Sequence, residues 1–372
     1  MDDRQRHMEG VVVLERFWYG KRVFITGHTG FKGSWLSMWL AGMGAEVTGY
    51  ALKPPTDPNI FTLAEVEQNM CSHCGDVKDF TSLLETLRQH EPEVVFHLAA
   101  QSLVRHSYAD PVETFATNVL GTVNILEAAR QVGSVRVVVN VTSDKCYENV
   151  DLDRGYRETD RLEGSDPYSA SKACSEMVTT SYRRSFFDGA KSPERKIYLA
   201  SARAGNVIGG GDWAADRLVP DLMRSFAERR VAPIRNPTAV RPWQHVLEPL
   251  HGYLLLAEKL WHHGYKFGGG WNFGPPGEND VTVGELAEFI AGLWGDDARW
   301  FRDHASHPRE AKSLRLDSAR ARTLLGWKCL LPLEAAVTWV VDWYKGFTNG
   351  LDMRGITLRQ IKTYQDLARE LE

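Results

Sequence analysis

Cysteine is scarce in this chain: five among 372 residues, at positions 71, 74, 146, 174 and 329. So few, so irregularly spaced, exclude a disulfide framework and suit a reducing compartment, so a cytoplasmic location is expected. No apolar run reaches the ~18 residues that would span a bilayer. The opening MDDRQRHMEGVVVLERFWYG is no secretory signal, because its short apolar patch, VVVL, runs straight into Glu15 and Arg16. Residues 1–16 read as a tail. Nor is there a surplus of one charge: a net −4 gives no electrostatic case for nucleic acid or an anionic membrane surface. Cys71 and Cys74, in CSHC, have the spacing of half a zinc site. No second pair of Cys or His follows at a suitable spacing, so no metal is expected.

What the chain does have is an ordinary globular composition, 43% apolar and 25% charged, and enough length for one large α/β domain or two. Between Lys21 and residue 205, short β-branched runs read as strands: 22–26, 46–52, 93–100, 135–142 and 196–203. They are almost continuously apolar, as strands of a parallel sheet covered on both faces must be. KGSWLSMWLAGMG and VETFATNVLGTVNILEAARQVG carry apolar residues at helical spacing, the second closing on a C-cap signal at Gly133. This alternation predicts a Rossmann-type, doubly wound parallel sheet over residues 17–205. From 206 to about 360 the texture is richer in Gly, Pro and Trp, with short helices expected at 217–230, 282–294 and 332–347. A smaller α/β domain closing over the first is predicted there. Trp213, Trp243 and Trp271 fall in its loops, where packing is the expected role.

ITGHTGFKG follows the first strand and opens a helix. Gly27, Gly30 and Gly33 would permit a tight turn, backbone approach to a pyrophosphate and close helix-on-sheet packing, with the phosphates on the helix N-terminus. One element of a dinucleotide site is absent: GYALKPP, at the end of the second strand, has no Asp or Glu for a ribose 2′-hydroxyl and no Arg for a 2′-phosphate, although Lys53 is near. NAD and NADP are not distinguished at this spot. Asp76, in CGDVKD, follows a possible third strand and could accept from an adenine amino group or, equally, cap a helix.

Tyr168 and Lys172, in DPYSASKACSE, lie four apart on one helix face. A nearby ammonium would favour the phenolate and make Tyr168 a usable base. In TSDKCY, Asp144 and Lys145 follow an apolar run directly. They are either an exposed turn at a strand end or an acid and base facing a substrate.

Together TGHTGFKG, HLAAQS, TSDKCY, YSASK and RAGNVIGGGDW resemble the extended short-chain dehydrogenase/reductase superfamily. Within it they resemble the dehydratases of CDP-linked glucose, as GYALKPPTDPNIF and RPWQHV also suggest. The similarity runs from about Phe17 to about Tyr344. It implies conversion of CDP-D-glucose to CDP-4-keto-6-deoxy-D-glucose, with NAD reduced and regenerated within one cycle. It further implies that Tyr168 takes the O4 proton, that Ser143 donates to O4, and that Asp144 and Lys145 divide acid and base duties in the loss of the 6-hydroxyl. As acid, Asp144 must carry its proton when it donates; as base, Lys145 must be neutral. The labels could be exchanged, or Lys145 could act electrostatically. Cofactor contacts are expected from Gly27, Gly30, Phe31, Lys32, Gly33, Asp76, Val77, Ala99, Ala100, Tyr168 and Lys172. Substrate contacts are expected from Gln101, Asn206, Arg217, Arg241 and Arg309, since Arg grips phosphate oxygens two at a time. A 4-epimerase, which needs no elimination pair, a dehydratase of another nucleotide hexose, and a non-catalytic cofactor sensor are the competing readings. A homodimer or dimer of dimers is expected, with helices near 112–132 and 168–187 at the interface.

Overall fold

A computed structural model describes residues 16–187, 196–275, 277, 280–295, 297–305 and 314–370. The predicted tail, except for Arg16, lies outside the described residues.

Seven parallel strands make the central sheet. In chain order they include β1 (Arg22–Thr26), β2 (Glu46–Ala51), β3 (Cys71–Cys74), β4 (Val94–His97), β5 (Val137–Val141) and β6 (Tyr198–Arg203). Next come β7 (Val207–Ile208), β8 (Ala232–Ile234), β9 (Val240–Pro242) and β10 (Gln244–His245), which belong to separate two-stranded pairings. β11 (Gly269–Asn272) rejoins the main sheet, and β12 (Asp280–Thr282) and β13 (Trp300–Arg302) pair with β9 and β8. The sheet order is β11-β6-β5-β4-β1-β2-β3, so the chain winds outward from β1 in one direction and then reverses. Such a reversal opens a crevice at the carboxyl ends of the strands, where ligands of this architecture bind.

VVVNV of β5 is buried throughout, and so are most residues of β1, β4 and β6, which is why these strands lack an alternating pattern. One face packs on helices Phe80–His90 and Gly121–Gln131, the other on Phe31–Gly42 and Leu247–His263. The second half does not stay apart from the first. Leu247–His263 lies on the sheet and β11 extends it, while Leu218–Ala227, Val283–Trp294 and Leu333–Thr348 form the covering layer. The last three match the helices expected there.

Two local expectations are corrected. The segment 111–131 is not a uniform helix but Pro111–Phe115, a π turn at Ala116–Leu120 and Gly121–Gln131. It ends on an extended Val132 (φ −98°, ψ 120°), so Gly133 is not a left-handed cap. Trp271 lies in β11 rather than in a loop, fully buried and stacked on Phe267.

Candidate active site

At the carboxyl end of the sheet the two halves enclose a cleft of about 1450 Å³. That exceeds the ~300–1,000 Å³ of a typical single-ligand pocket, and is room for a dinucleotide and a second substrate side by side.

Its floor is the turn after β1. Gly27 has φ +77°, and a Cβ there would meet Ala99 N at 2.7 Å. At Gly33 a Cβ would lie 2.1 Å from Gly27 O, so these two glycines are demanded by the protein's own packing. Gly30 is different: a Cβ would make only an ordinary 3.4 Å contact with Gly27 O. It lines the cleft and opens the helix Phe31–Gly42 without any side-chain cap, which leaves first-turn N–H groups for an anion. A pyrophosphate fits this cradle. Phe31, Lys32, Ala99 and Ala100 line the same wall.

Beyond β3, Asp76 and Val77 line the cleft with Lys53. The helix that follows is capped by Asp79, whose side chain accepts from Ser82 N. Asp76 is therefore not the helix cap. Its Oδ1 accepts from Lys78 N at 2.9 Å, and Lys78 Nζ stands 3.4 Å from Oδ2.

TSDKCY is not an exposed turn. Ser143 caps the single 3₁₀ turn Asp144–Cys146, accepting from Lys145 N at 3.2 Å and donating to Asp144 Oδ1 at 2.9 Å. Asp144 is only 2% exposed, and its Oδ2 is buried with no hydrogen-bond partner among the described residues. An unpaired buried carboxyl oxygen is costly, and it calls for a partner that the described residues do not supply. Lys145 is half-buried on the same wall.

Tyr168 and Lys172 come from Pro167–Tyr182, a helix begun by Asp166 as N-cap and Pro167 in the first turn. Both side chains are buried and line the cleft. Burial pushes the Tyr168 phenol up to about 12, against the pull of a hydrogen bond with Ser143 and of Arg217. The Lys172 Nζ donates to Val141 O at 3.4 Å. Burial lowers Lys172 itself to about 8. Lys32 is held at about 8 by burial and by Arg217, with Asp144 pulling it back. Lys32 thus feels Arg217, Asp144 and Lys172 together.

Behind them lies a buried polar frame that sequence reading missed. Glu176, one turn after Lys172, accepts from Arg203 Nη2 at 2.7 Å and Nε at 2.9 Å and from Ser201 Oγ at 2.7 Å. Burial alone would raise Glu176, but the guanidinium and these donors hold it below the usual carboxylate range. Asn118 ties the loop to the catalytic helix, donating to Gln101 O at 2.9 Å and Ser171 Oγ at 2.8 Å. Arg203 at the end of an apolar strand was the available signal.

On the covering side, Asn206 lines the cleft with φ +47° and a buried Nδ2 that has no acceptor among the described residues. Arg217 donates to Asp212 Oδ2 at 2.8 Å and to Ser102 Oγ at 2.9 Å. Arg241 lines the cleft and donates to Val240 O at 2.9 Å. Gln101 lines it too, but its amide is committed to Leu103 and Thr114, bracing the loop. Arg309 lies outside the described residues. Trp213 and Trp243 border the cleft and are buried; Trp213 packs edge-on against Tyr344 and Phe347.

The sequence family described as GDP-mannose 4,6 dehydratase matches residues 24–338. The chain is 51% identical to a CDP-glucose 4,6-dehydratase of Salmonella typhimurium, over 95% of this chain and 98% of the relative. In fold it is similar to a Thermus thermophilus UDP-glucose 4-epimerase in complex with NAD (TM-score 0.75, 24% identity, 87% of this chain and 99% of the other). It is also similar to a Bacillus anthracis dTDP-glucose 4,6-dehydratase in complex with NAD (TM-score 0.72, 19% identity, 90% and 100%). A match of 51% identity along nearly the whole of both chains, on a Rossmann sheet bearing this cleft, settles the family: the chain belongs to the GDP-mannose 4,6-dehydratase family of extended short-chain dehydrogenases/reductases, in the line of the CDP-glucose 4,6-dehydratases.

Proposed function

We propose that this chain converts CDP-D-glucose to CDP-4-keto-6-deoxy-D-glucose and water. The observation that carries the reading is the buried Asp144 carboxyl with its unpaired oxygen, beside Lys145 and on one wall with Tyr168 and Lys172. Reversible oxidation at C4 needs the Tyr–Lys pair alone; loss of the 6-hydroxyl needs an acid and a base at neighbouring positions as well. The 51% relative bears the name of this reaction.

Gly27, Gly30, Phe31, Lys32, Gly33, Asp76, Val77, Ala99 and Ala100 would hold NAD, which would supply hydride-accepting and hydride-returning chemistry to the sugar. Tyr168 takes the O4 proton, with Ser143 donating to that oxygen. Lys172 would orient the ribose end of the cofactor, while the Ser143 hydroxyl and the charge of Arg217 favour the phenolate. The 4-ketone acidifies the hydrogen at C5, which Lys145 removes while Asp144 protonates the departing O6. Exchange of those two labels uses the same residues and is separated by the variants described below. Asn206, Arg217 and Arg241 hold the nucleotide diphosphate, and Gln101 positions the loop beside it.

The test is incubation with CDP-, dTDP-, UDP- and GDP-linked hexoses, with and without added NAD, read by mass spectrometry. Water lost from CDP-glucose without net reduced cofactor supports the reading. Interconversion of UDP-glucose and UDP-galactose without water loss would replace it by an epimerase.

The protein works as a homodimer in the cytoplasm. Val112, Phe115 and Leu120 on one helical segment, and Met177 and Phe186 on its neighbour, are exposed apolar side chains on helices packed together through Asn118–Ser171 and Thr122–Ser175. Leu120→Lys is expected to shift sedimentation from dimer to monomer; an unchanged mass would remove this face from consideration.

A further inference from the structure

The Cys-x-x-Cys spacing of CSHC does not gather its two thiols, because successive side chains of a strand point to opposite faces. Cys71 and Cys74, three apart in β3, fall on different sides, whereas Cys71 and His73 share one. β3 is the edge strand of the sheet, and the last residue of the helix that follows it, His90, reaches that same side. His73 Nε2 lies 3.3 Å from Cys71 Sγ and 2.8 Å from His90 Nε2, and the three donor atoms all fall within 4.8 Å of one another.

We propose that Cys71, His73 and His90 form a second site, remote in chemistry from the cleft, for one divalent cation of the zinc class. The donor set is thiolate and imidazole, which suits a borderline-soft ion rather than magnesium or calcium. Tetrahedral coordination at ~2.0–2.1 Å to nitrogen and ~2.3 Å to sulfur puts donor atoms ~3.3–3.7 Å apart, close to the spacing present here. Cys71 is exposed, so its side chain is free to adjust, and ions reach the site directly. His90 ends its helix, where the negative end of the macrodipole favours a cation.

On binding, the Cys71 thiol releases its proton to solvent. Each imidazole binds through Nε2 and keeps its proton on Nδ1, so the proton now shared between the two rings moves to a ring's far side. Water takes the fourth position, as in open zinc sites. The ion would clamp the edge strand to the helix C-terminus. Gly75, Asp76 and Val77 follow β3 at once and line the cofactor cleft, so the clamp holds the adenosine end of that cleft.

The experiment is titration of tag-free full-length protein with Co²⁺, read by visible and near-ultraviolet absorption. The expected result is one equivalent per chain, with a thiolate-to-cobalt band and intense tetrahedral bands, displaced by one equivalent of Zn²⁺. Cys71→Ser should abolish the thiolate band, and His90→Asn should weaken binding at least tenfold. Cys74→Ser should leave both unchanged, and circular dichroism should verify that each variant is folded. Failure to bind stoichiometrically would overturn the proposal, as would binding that survives the Cys71→Ser, His90→Asn double change. Equal loss of the band in Cys74→Ser would overturn it in favour of a paired-thiol site.

Discussion

Gly205 faces the Asp144 carboxyl so closely that a Cβ built on it would come within 1.8 Å of Oδ2. Between them the glycine and the Ser143 hydroxyl fix the acid: one leaves room for Oδ2, and the other holds Oδ1 at 2.9 Å. Gly205→Ala must therefore displace the carboxyl. The expected outcome is a kcat at least tenfold lower with KM little changed, and a stability loss of about 1–3 kcal/mol from overpacking. Steady-state kinetics beside a denaturant titration would check it; wild-type kcat in the folded variant would show that Asp144 need not stay where it is.

Tyr168→Phe removes the group assigned to the O4 proton and leaves the fold's contacts in place. Turnover should fall by about 10²–10⁴, the usual contribution of a positioned general base. CDP-glucose should still protect the variant against thermal unfolding. A variant that retained turnover would move the first proton transfer to another residue.

Arg203 and Glu176 are 4% and 1% exposed, and each is the other's main counter-charge. Arg203→Met leaves the carboxylate buried and unpaired, and should cost about 3–5 kcal/mol in chemical denaturation. Adding Glu176→Gln to it should recover part of that loss. A double variant less stable than Arg203→Met would contradict the assignment.

Four histidines buried among the described residues weaken the fold in acid. Burial lowers His28 and His251 to about 4 and His97 and His245 to about 3. A folded-state value below the unfolded one means that the unfolded chain binds more protons once pH falls below about 6.5. Stability from these groups is complete above that pH and is lost progressively down toward pH 3–4, at up to ~1.4 kcal/mol per pH unit for each ring. Glu248 works the other way: burial raises it to about 7, so its protonated form favours the fold below that pH and offsets roughly one histidine. Melting temperature followed from pH 7 to pH 4 should fall, and His245→Asn should make the fall shallower. A flat profile would show that these rings are protonated in the fold.

Much of this was legible in the sequence for physical reasons. β1, β2, β4, β5 and β6 announce themselves because strands buried on both faces must be apolar throughout. The glycine loop and the Tyr168–Lys172 spacing are legible because single positions carry steric or chemical demands nothing else meets. β11 was missed: GGWN has two glycines and one apolar residue, and it is a strand only because β6 offers it an edge. The Arg203–Glu176 frame was equally hidden, since two charges 27 residues apart look like solvated surface until the sheet brings them together. Cys71 and His90 suffered the same fate. The local Cys-x-x-Cys spacing pointed to a thiol pair, while the fold chose partners by the two-residue period of a strand.

Asp144 and Lys145 serve the elimination and not the first oxidation. The measurement is a single-turnover reaction of Asp144→Asn and Lys145→Met with CDP-glucose, following reduced nicotinamide by fluorescence and water loss by mass spectrometry. Reduced cofactor should build up in both variants while water loss slows by about 10²–10⁴. Deuterium should still enter at C5 from solvent in whichever variant retains the base. Water loss at the wild-type rate in either variant, or no cofactor reduction in both, would contradict it.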